Sequence, residues 1–256
     1  MTESLKDLWL QNGGELHPLE DRIDFSIAPD LQSLKTRVNS IDPEQYARSR
    51  NHLEGATTEL SPFFKHGLIE IEEVVEQIKQ EHPESWPGKF FQELIYREYF
   101  HYIAREYPQF LSEEAQEYKT GWKAEDYSKS LPEDIESAQT PCALINEIIE
   151  VLVGTGFLHN RCRLYLASYV VHFRRVHWLT GAQWMLSHLI DGDVACNHLS
   201  WQWVASSFSA KPYLFNLKSA RQFFPKSWNL NPSENLEIDA SFEKLNASLF
   251  PNRKSS

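Results

Sequence analysis

Glycine, cysteine and long apolar runs are scarce in this chain of 256 residues. Only 10 glycines are present, which argues against a turn-rich β architecture. The 3 cysteines show no CxxC spacing, and so small and odd a set indicates free thiols in a reducing compartment. The most apolar stretch, residues 143–158, is too short and carries too many polar side chains to span a bilayer.

Signatures of several protein classes are also missing. The first residues, MTESLKDLWLQNGGE, contain neither a basic region nor an apolar run, so we expect no signal peptide and a cytoplasmic location. The motifs HExxH, GxSxG and GxxxxGK(S/T) do not occur, which argues against the hydrolase and nucleotide-binding classes that they mark. The histidines have no metal-ligand spacing, and the sequence therefore predicts no metal site.

Charge is unevenly distributed along the chain. Residues 1–156 carry 14 basic and 30 acidic side chains, a net charge of −16. Residues 157–256 carry 11 basic and 6 acidic side chains, a net charge of +5. If the two parts segregate in space, the surface is polarised, and an anionic ligand would favour the second part.

Apolar residues recur at helical spacing along most of the chain, whereas strand-like alternation is weak. The region 117–141 is polar, contains two prolines and is predicted to be a loop. We therefore predict an all-α fold. The predicted helices are 67–82, 90–107, 141–157, 157–178, 181–190 and 196–208.

Two of these helices carry polar groups at helical spacing. Glu93, Tyr96 and Arg97 share one face of the first, and Asn160 and Arg163 lie three apart on a later one. Without other information the first group indicates a surface ion pair worth about 0.3–0.5 kcal/mol, and the second a solvated face.

Two further segments combine features that packing alone does not explain. TTELSPFFKHG, residues 57–67, is typical of a helix start, with hydroxyls and backbone N–H groups that either cap the helix or bind a phosphate. HLIDGDVACNHLSWQWVAS, residues 188–206, places Asp191, Asp193 and Asn197 just before two tryptophans. Such a stretch either binds a planar ligand with polar edges or forms an ordinary loop that leads into a core helix.

These segments, together with FFQELIYREYF and TGFLHNRCRLYLAS, resemble the FAD-binding helical domain of the DNA photolyase/cryptochrome family. The similarity covers about residues 46–216. It implies an N-terminal segment at 1–45, an FAD-binding helical domain at 46–230 and a C-terminal tail at 231–256. The antenna domain of the family is not matched, so we expect no antenna chromophore.

FAD is the cofactor that this resemblance implies. Asp191 would pair with Arg163 beside the isoalloxazine ring, and Asn197 would face the flavin N5. The residues implied to bind FAD are Tyr46, Thr57, Thr58, Leu60, Ser61, Phe90, Arg97, Asn160, Arg163, Asp191, Asp193 and Asn197.

Light-driven electron transfer is the activity that the resemblance implies, with Trp201 nearest to the flavin and Trp178 next. The third member is left open between Trp122 and Tyr127. Residues implied to act in catalysis are Glu93, Trp178, Trp201 and Asn197.

DNA photorepair of pyrimidine dimers, by a lyase similar to deoxyribodipyrimidine photolyase, is the second activity that the resemblance implies. The pocket for the DNA lesion would consist of Glu93, Tyr96, Asn160 and Trp203. Tyr96 replaces a tryptophan of the family, and Leu214 stands where an arginine meets phosphate, so we expect weak binding to DNA that is single-stranded or contains a lesion. The alternative is a flavin-binding sensory protein that has lost repair and acts through a protein partner. A phosphate track would run along Arg161, Arg174, Arg175, Lys211, Lys218 and Arg221.

Overall fold

The computed structural model describes residues 31–253, with side chains from residue 34 onward, and this range is helical without a β-strand. The predicted all-α class is confirmed. The α-helices are α1 Leu31–Asn39, α2 Pro43–Ser49, α3 Ser61–Lys65, α4 Ile71–Glu81, α5 Lys89–Glu106, α6 Glu133–Glu136, α7 Ala143–Thr155, α8 Asn160–Ser168, α9 Trp178–His188, α10 Val194–Ala205, α11 Leu217–Phe223 and α12 Phe242–Leu249. In the described range, no helix is long and apolar enough to cross a membrane.

The first helices enclose a small core. In α4, Val74 and Ile78 are one turn apart and buried, whereas acidic residues cover the outer face of the helix. The oxygen Oδ1 of Asp42 caps α2 by accepting from the backbone N–H groups of Glu44 and Gln45. The small core consists of Leu34, Val38, Ile41, Leu60, Phe63, Val74, Ile78, Phe90 and Leu94.

A larger core fills the second part of the molecule, between α7, α8, α9, α10 and α11. In α7, Ile145, Ile148, Ile149 and Leu152 follow the helical repeat and are almost fully buried. Residues 231–253 pack on this core through Ile238, which has no exposed surface. The proposed division of the chain at residues 45 and 230 stays a prediction, and residues 1–30 lie outside the described range.

The predicted single helix at 157–178 is wrong. The chain forms α8, then a π-helical turn at 169–173, and then leaves the helix near Arg175, whose φ is +49°. Ser128 pairs with this irregular stretch through backbone hydrogen bonds with Arg175 and His177. Trp178 therefore begins α9 instead of ending α8, because the backbone groups bonded to Ser128 are not available to a continuous helix.

Close packing of α9 against α10 depends on Gly181. A Cβ atom at this position would lie 2.4 Å from the ring of Trp201 and 3.0 Å from Val170. The indole of Trp201 therefore lies directly against the backbone of α9, one turn after Trp178.

Candidate functional site

A cavity of about 700 Å³ lies between the small core and the large core. Its size falls within the range of about 300–1,000 Å³ that is usual for small-molecule sites. The structure brings to its walls every residue that the sequence assigns to the cofactor, although these residues come from segments more than 100 positions apart. They are Tyr46, Thr57, Thr58, Leu60, Ser61, Phe90, Arg97, Asn160, Arg163, Asp191, Asp193 and Asn197.

Asp191 is the most buried charge in this wall, with 1% of its side chain exposed. Arg163 donates from Nη2 to both carboxylate oxygens, at 2.9 and 2.7 Å, and from Nε to the carbonyl of Leu158. Ser61 donates to Oδ2 at 2.5 Å and thereby ties α3 to the start of α10. The carboxylate is thus held by one cation and one hydroxyl, which offset its desolvation.

Asp193 forms the second buried pair. Arg97 donates to its Oδ2 at 2.8 Å, His101 lies at 2.8 Å from the same oxygen, and Oδ1 accepts from the backbone N–H of Cys196. Burial raises the pKa of Asp193, but the bond from Cys196 and the charges of Arg97 and His101 outweigh it and lower the pKa. The group is therefore an anion at neutral pH.

Three side chains of types that can bind a metal lie close together beside Asp193. The donor atoms of His101, Asp193 and Cys196 are within 4.8 Å of one another. The guanidinium of Arg97 already lies among them, 3.6 Å from the sulfur, and a cation beside it would be repelled. We assign no metal to this cluster. The Nε of Arg97 is buried and lacks a hydrogen-bond partner among the described residues, so the wall has a donor to offer to a polar ligand.

Glu93 does not pair with Arg97, although the two lie four apart on α5. Instead, Lys89 contacts its Oε1 at 2.6 Å and Arg50 at 3.2 Å. Lys89 also lies 5.7 Å from the ring centre of Tyr96. The helical spacing correctly predicted that Glu93 and Arg97 share a face. Glu93, however, pairs with Lys89 one turn earlier on α5 and with Arg50, whereas Arg97 pairs with Asp193.

Tyr46 and Phe90 line the cavity where the small core meets it. Their rings make an edge-on contact, with 5.1 Å between the centroids. Burial, and then the charge of Glu93, raises the pKa of Tyr46 to about 12, so its hydroxyl keeps its proton.

Sequence reasoning missed two residues at this junction, Arg50 and His159. The ring of His159 accepts from the backbone N–H of Arg161 at Nδ1 and therefore donates from Nε2 to the carbonyl of Arg50. Burial lowers the pKa of His159 to about 4, which keeps the imidazole neutral. The position of His159 within the segment TGFLHNRCR could have identified it as a site residue, whereas no local sequence feature identified Arg50.

The tryptophans occupy three different settings. Trp201 is 2% exposed and lines the cavity, and Trp178, at the start of α9, is fully buried in the large core. Trp203 does not line the cavity and is 41% exposed, with its ring 5.7 Å from that of Tyr213. Tyr96, which is 48% exposed, does line the cavity, together with Glu93 and Asn160.

Four of the basic residues assigned to a phosphate track have partners within the chain, among them Arg221, which donates from Nη2 to the carbonyl of Leu230 at 3.0 Å. Arg174 makes a bidentate pair with Asp134 at 2.7 and 3.0 Å. Arg175 stacks on Trp122, and Arg161 stacks on Phe223 with 4.0 Å between its guanidinium carbon and the ring centre. These contacts reduce the number of cations that a phosphate chain could meet without rearrangement.

Comparisons with known proteins identify relatives of this domain. The family model described as the FAD binding domain of DNA photolyase matches residues 90–228. Deoxyribodipyrimidine photo-lyase of Synechococcus sp. is 30% identical over 182 residues, 67% of this chain and 37% of the relative. Cryptochrome DASH of Gloeobacter violaceus is 31% identical over 194 residues, 71% of this chain and 38% of the relative. The chain thus spans well under half the length of these relatives.

Solved structures share the fold at lower identity. An archaeal photolyase from Sulfolobus tokodaii, solved with two FAD molecules, has a TM-score of 0.68 and 20% identity and covers 86% of this chain and 55% of its own. A cryptochrome from Synechocystis sp. has a TM-score of 0.64 and 24% identity and covers 75% of this chain and 42% of its own.

Proposed function

This chain belongs to the family of the FAD-binding domain of DNA photolyase, and from that membership we infer that it is a flavoprotein of light-driven electron transfer. The observation that carries the proposal is the cavity, because all twelve residues assigned to the cofactor line its wall. Its lining combines apolar side chains with two buried carboxylate–arginine pairs and a donor without a partner. This composition fits a ligand with an aromatic ring system and polar substituents.

Each wall of the cavity has its own part in holding FAD. Thr57, Thr58 and Ser61 supply hydroxyls, and Arg97 supplies charge and the free Nε donor. Asp191 and Arg163 provide an acceptor and a donor side by side. Asn197 is oriented by its amide nitrogen, which donates to the carbonyl of Ala182 at 2.8 Å. When bound, FAD supplies absorption of blue light and the exchange of single electrons.

Trp201 and Trp178 form the route by which electrons reach the cavity. Trp201 is at the cavity wall, and its ring packs on α9 one turn from the start of the helix at Trp178. Both indoles are shielded from water, which lowers the reorganisation that accompanies a change of charge.

A nucleobase lesion is the substrate class that the mouth of the cavity suits best. Tyr96 lines the cavity and Trp203 lies outside its lining, and both are exposed aromatic residues; a stacked base gains roughly 1–3 kcal/mol on such a ring. Extrusion of the lesion from a duplex costs a few kcal/mol, so single-stranded substrate binds better. Since four of the six track cations have internal partners, few phosphates are neutralised and the binding weakens steeply with salt.

The cofactor proposal is tested by the absorption spectrum of protein purified in the dark. We expect a flavin spectrum from non-covalently bound FAD. Trp201→Phe should keep the flavin, yet slow its photoreduction by external reductant under blue light at least about tenfold, a barrier change of about 1.4 kcal/mol. Trp184→Phe, a partly buried tryptophan on the large core, is the control. Colourless protein that also fails to take up added FAD contradicts the proposal.

The repair proposal needs its own assay, with a thymine-dimer oligonucleotide, photoreduced protein and light. Repair should vanish in Glu93→Ala and Trp203→Ala, whereas Glu98→Ala, on the same helix as Glu93, should leave it unchanged. Flavin that is photoreduced without any repair or preference for the lesion at low salt favours the sensory alternative.

A further inference from the structure

Outside the cavity, the carboxylate of Glu114 is contacted by three hydrogen-bond donors. Its Oε1 accepts from the phenol of Tyr118 at 3.1 Å and from the indole Nε1 of Trp178 at 3.1 Å. The Nε2 of His177 lies 2.7 Å from the same oxygen. One carboxylate oxygen thus contacts both the second tryptophan of the proposed route and a buried tyrosine.

The contacts of His177 fix its proton. Its Nδ1 accepts from the backbone N–H of Leu179 at the start of α9, so the neutral ring carries its proton on Nε2 and donates it to Glu114. Burial raises the pKa of Glu114, but its own backbone N–H, the electrostatic attraction of His177 and the hydrogen bonds from Tyr118 and Trp178 outweigh it and lower the pKa. Glu114 is therefore an anion at neutral pH and can accept a proton.

Tyr118 is better placed than two nearby aromatic residues to give an electron to Trp178. Trp122 is covered by the guanidinium of Arg175, 3.8 Å from its ring centre, and a fixed cation opposes the positive charge of an oxidised indole. Tyr127 stacks on Tyr118 with 4.7 Å between centroids, but its hydroxyl pairs with Thr120. A threonine hydroxyl is a poor proton acceptor, whereas Tyr118 has a carboxylate.

We propose that Tyr118 is the terminal electron donor of this chain and that Glu114 is the base that takes its phenolic proton. Light-excited flavin is the oxidant, acting through Trp201 and Trp178. One electron passes from Tyr118 to oxidised Trp178, the phenolic O–H bond breaks, and an O–H bond forms on Glu114. The products are a neutral tyrosyl radical and a carboxylic acid, and an external one-electron reductant restores Tyr118.

The step follows from ordinary acid–base chemistry at this site. Burial and the charge of Glu114 raise the pKa of Tyr118, so the resting phenol is protonated. Removal of an electron makes a phenol a strong acid, and the carboxylate is already hydrogen-bonded to it. Glu114 has 25% of its side chain exposed, so the proton can pass on to water. This inference rests on the proposed light-driven electron transfer and names the residue at which it ends.

The role of Tyr118 is tested by identifying the radical that forms after a light pulse. Electron paramagnetic resonance and transient absorption of the flavin-loaded protein distinguish a tyrosyl from a tryptophan radical. We expect a neutral tyrosyl radical in the wild type. Tyr118→Phe should abolish that signal and leave an oxidised tryptophan, whereas Tyr127→Phe, the stacked neighbour without a carboxylate, should keep it. Flavin content and thermal unfolding of each variant check that the fold is intact.

Glu114→Gln tests the base separately, since an amide oxygen still accepts hydrogen bonds but does not hold a proton. We expect the tyrosyl yield to fall at least about tenfold, because the phenolic proton then has no base to take it. Glu113→Gln, the exposed neighbour, should resemble the wild type. The solvent deuterium effect on tyrosyl formation should be present in the wild type and absent in Glu114→Gln.

The outcomes separate this inference from the proposed function. No photoreduction in the wild type refutes the electron-transfer function itself. Photoreduction with only a tryptophan radical, or a tyrosyl signal that survives in Tyr118→Phe, refutes the role of Tyr118 alone. An unchanged tyrosyl yield in Glu114→Gln refutes the role of the base.

Discussion

The two cores of this molecule differ in size and in what they do for the cavity between them. Among the described residues, thirty are buried in the large core and nine in the small core. Hydrophobic stabilisation scales with buried apolar area, so the large core has the greater stability of its own. The contacts that tie the two parts together at the cavity include those of Ser61 with Asp191, Arg97 with Asp193, and His159 with the carbonyl of Arg50.

The two cores contribute different walls of the cavity. The large core fixes Trp201, Asp191 and Asn197, whereas the small core supplies the opposite wall through Leu60, Phe90 and α5. A ligand that touches both walls stabilises their contact, because it binds only when they are joined. Each prediction below compares a change at the junction or small core with a matched change elsewhere.

Asp191→Ala should have the largest effect. It leaves Arg163 without its anion in a buried wall, at a cost of about 3–5 kcal/mol, and the protein should lose its flavin. Asp134→Ala breaks another bidentate pair, with Arg174, but away from the cavity and 31% exposed, so its cost should be smaller and the flavin should stay. Flavin absorbance and urea unfolding measure both. Equal flavin loss in the two variants contradicts a special role for the junction.

The second-largest effect is expected from truncating one buried side chain in each core. Ile78→Ala in the small core and Ile148→Ala in the large core each remove a buried side chain, at about 2–5 kcal/mol. Hydrogen exchange should show that Ile78→Ala loosens α4 and releases flavin while α7 stays protected. Ile148→Ala should lower protection in both parts. If α7 loses protection equally in both variants, the two cores are one cooperative unit.

Acid should loosen the junction through His159. Its pKa is about 4 in the folded protein, because burial disfavours the charged ring, against about 6.5 when unfolded. The unfolded chain therefore binds the proton more tightly, and stability is full above pH 6.5 and falls as pH drops toward 4, by about 2 kcal/mol at pH 5. His172, inside the large core, has a pKa of about 4 for the same reason.

Variants separate the two histidines. His159→Gln and His172→Gln should each flatten the slope of unfolding free energy between pH 7.5 and pH 5, but only His159→Gln should also flatten the pH dependence of flavin retention. Flavin release that follows His172 instead would break the link between the junction and the cofactor.

Tyr96→Trp should have the smallest effect. Tyr96 lies on the small-core side of the cavity mouth, and a larger ring should raise affinity for a lesion-containing strand by a fraction of the roughly 1–3 kcal/mol of one stacked base. Tyr102→Trp, equally exposed on the same helix, is the control. Fluorescence anisotropy with a labelled strand at low salt measures the change. Equal gains in both variants would point to unspecific stacking.

The helical class was predictable from the sequence, because local spacing sets helices, whereas the residues of the cavity wall were predicted only through the resemblance of four segments to the photolyase/cryptochrome family. DGDVACNHLSWQW places Asp191, Asp193, Asn197 and Trp201 around one helix start, so their relative positions follow from helix geometry. Asp193 is itself the N-cap of α10, accepting from the N–H of Cys196, as its position before the helix favours.

What the tertiary structure decided is the choice of partners. Arg97 binds Asp193 and Glu93 binds Arg50, both across long range. Of the two i,i+4 pairs that α5 offers Glu93, the one with Lys89 forms and the one with Arg97 does not. Glu114, in the irregular stretch after α5, meets Tyr118, Trp178 and His177 only because residues 64 positions apart converge. An i,i+4 pair is worth a few tenths of a kcal/mol, whereas a buried charge without a partner costs several, so the pairing of Arg97 with the buried Asp193 outweighs its local pair with Glu93.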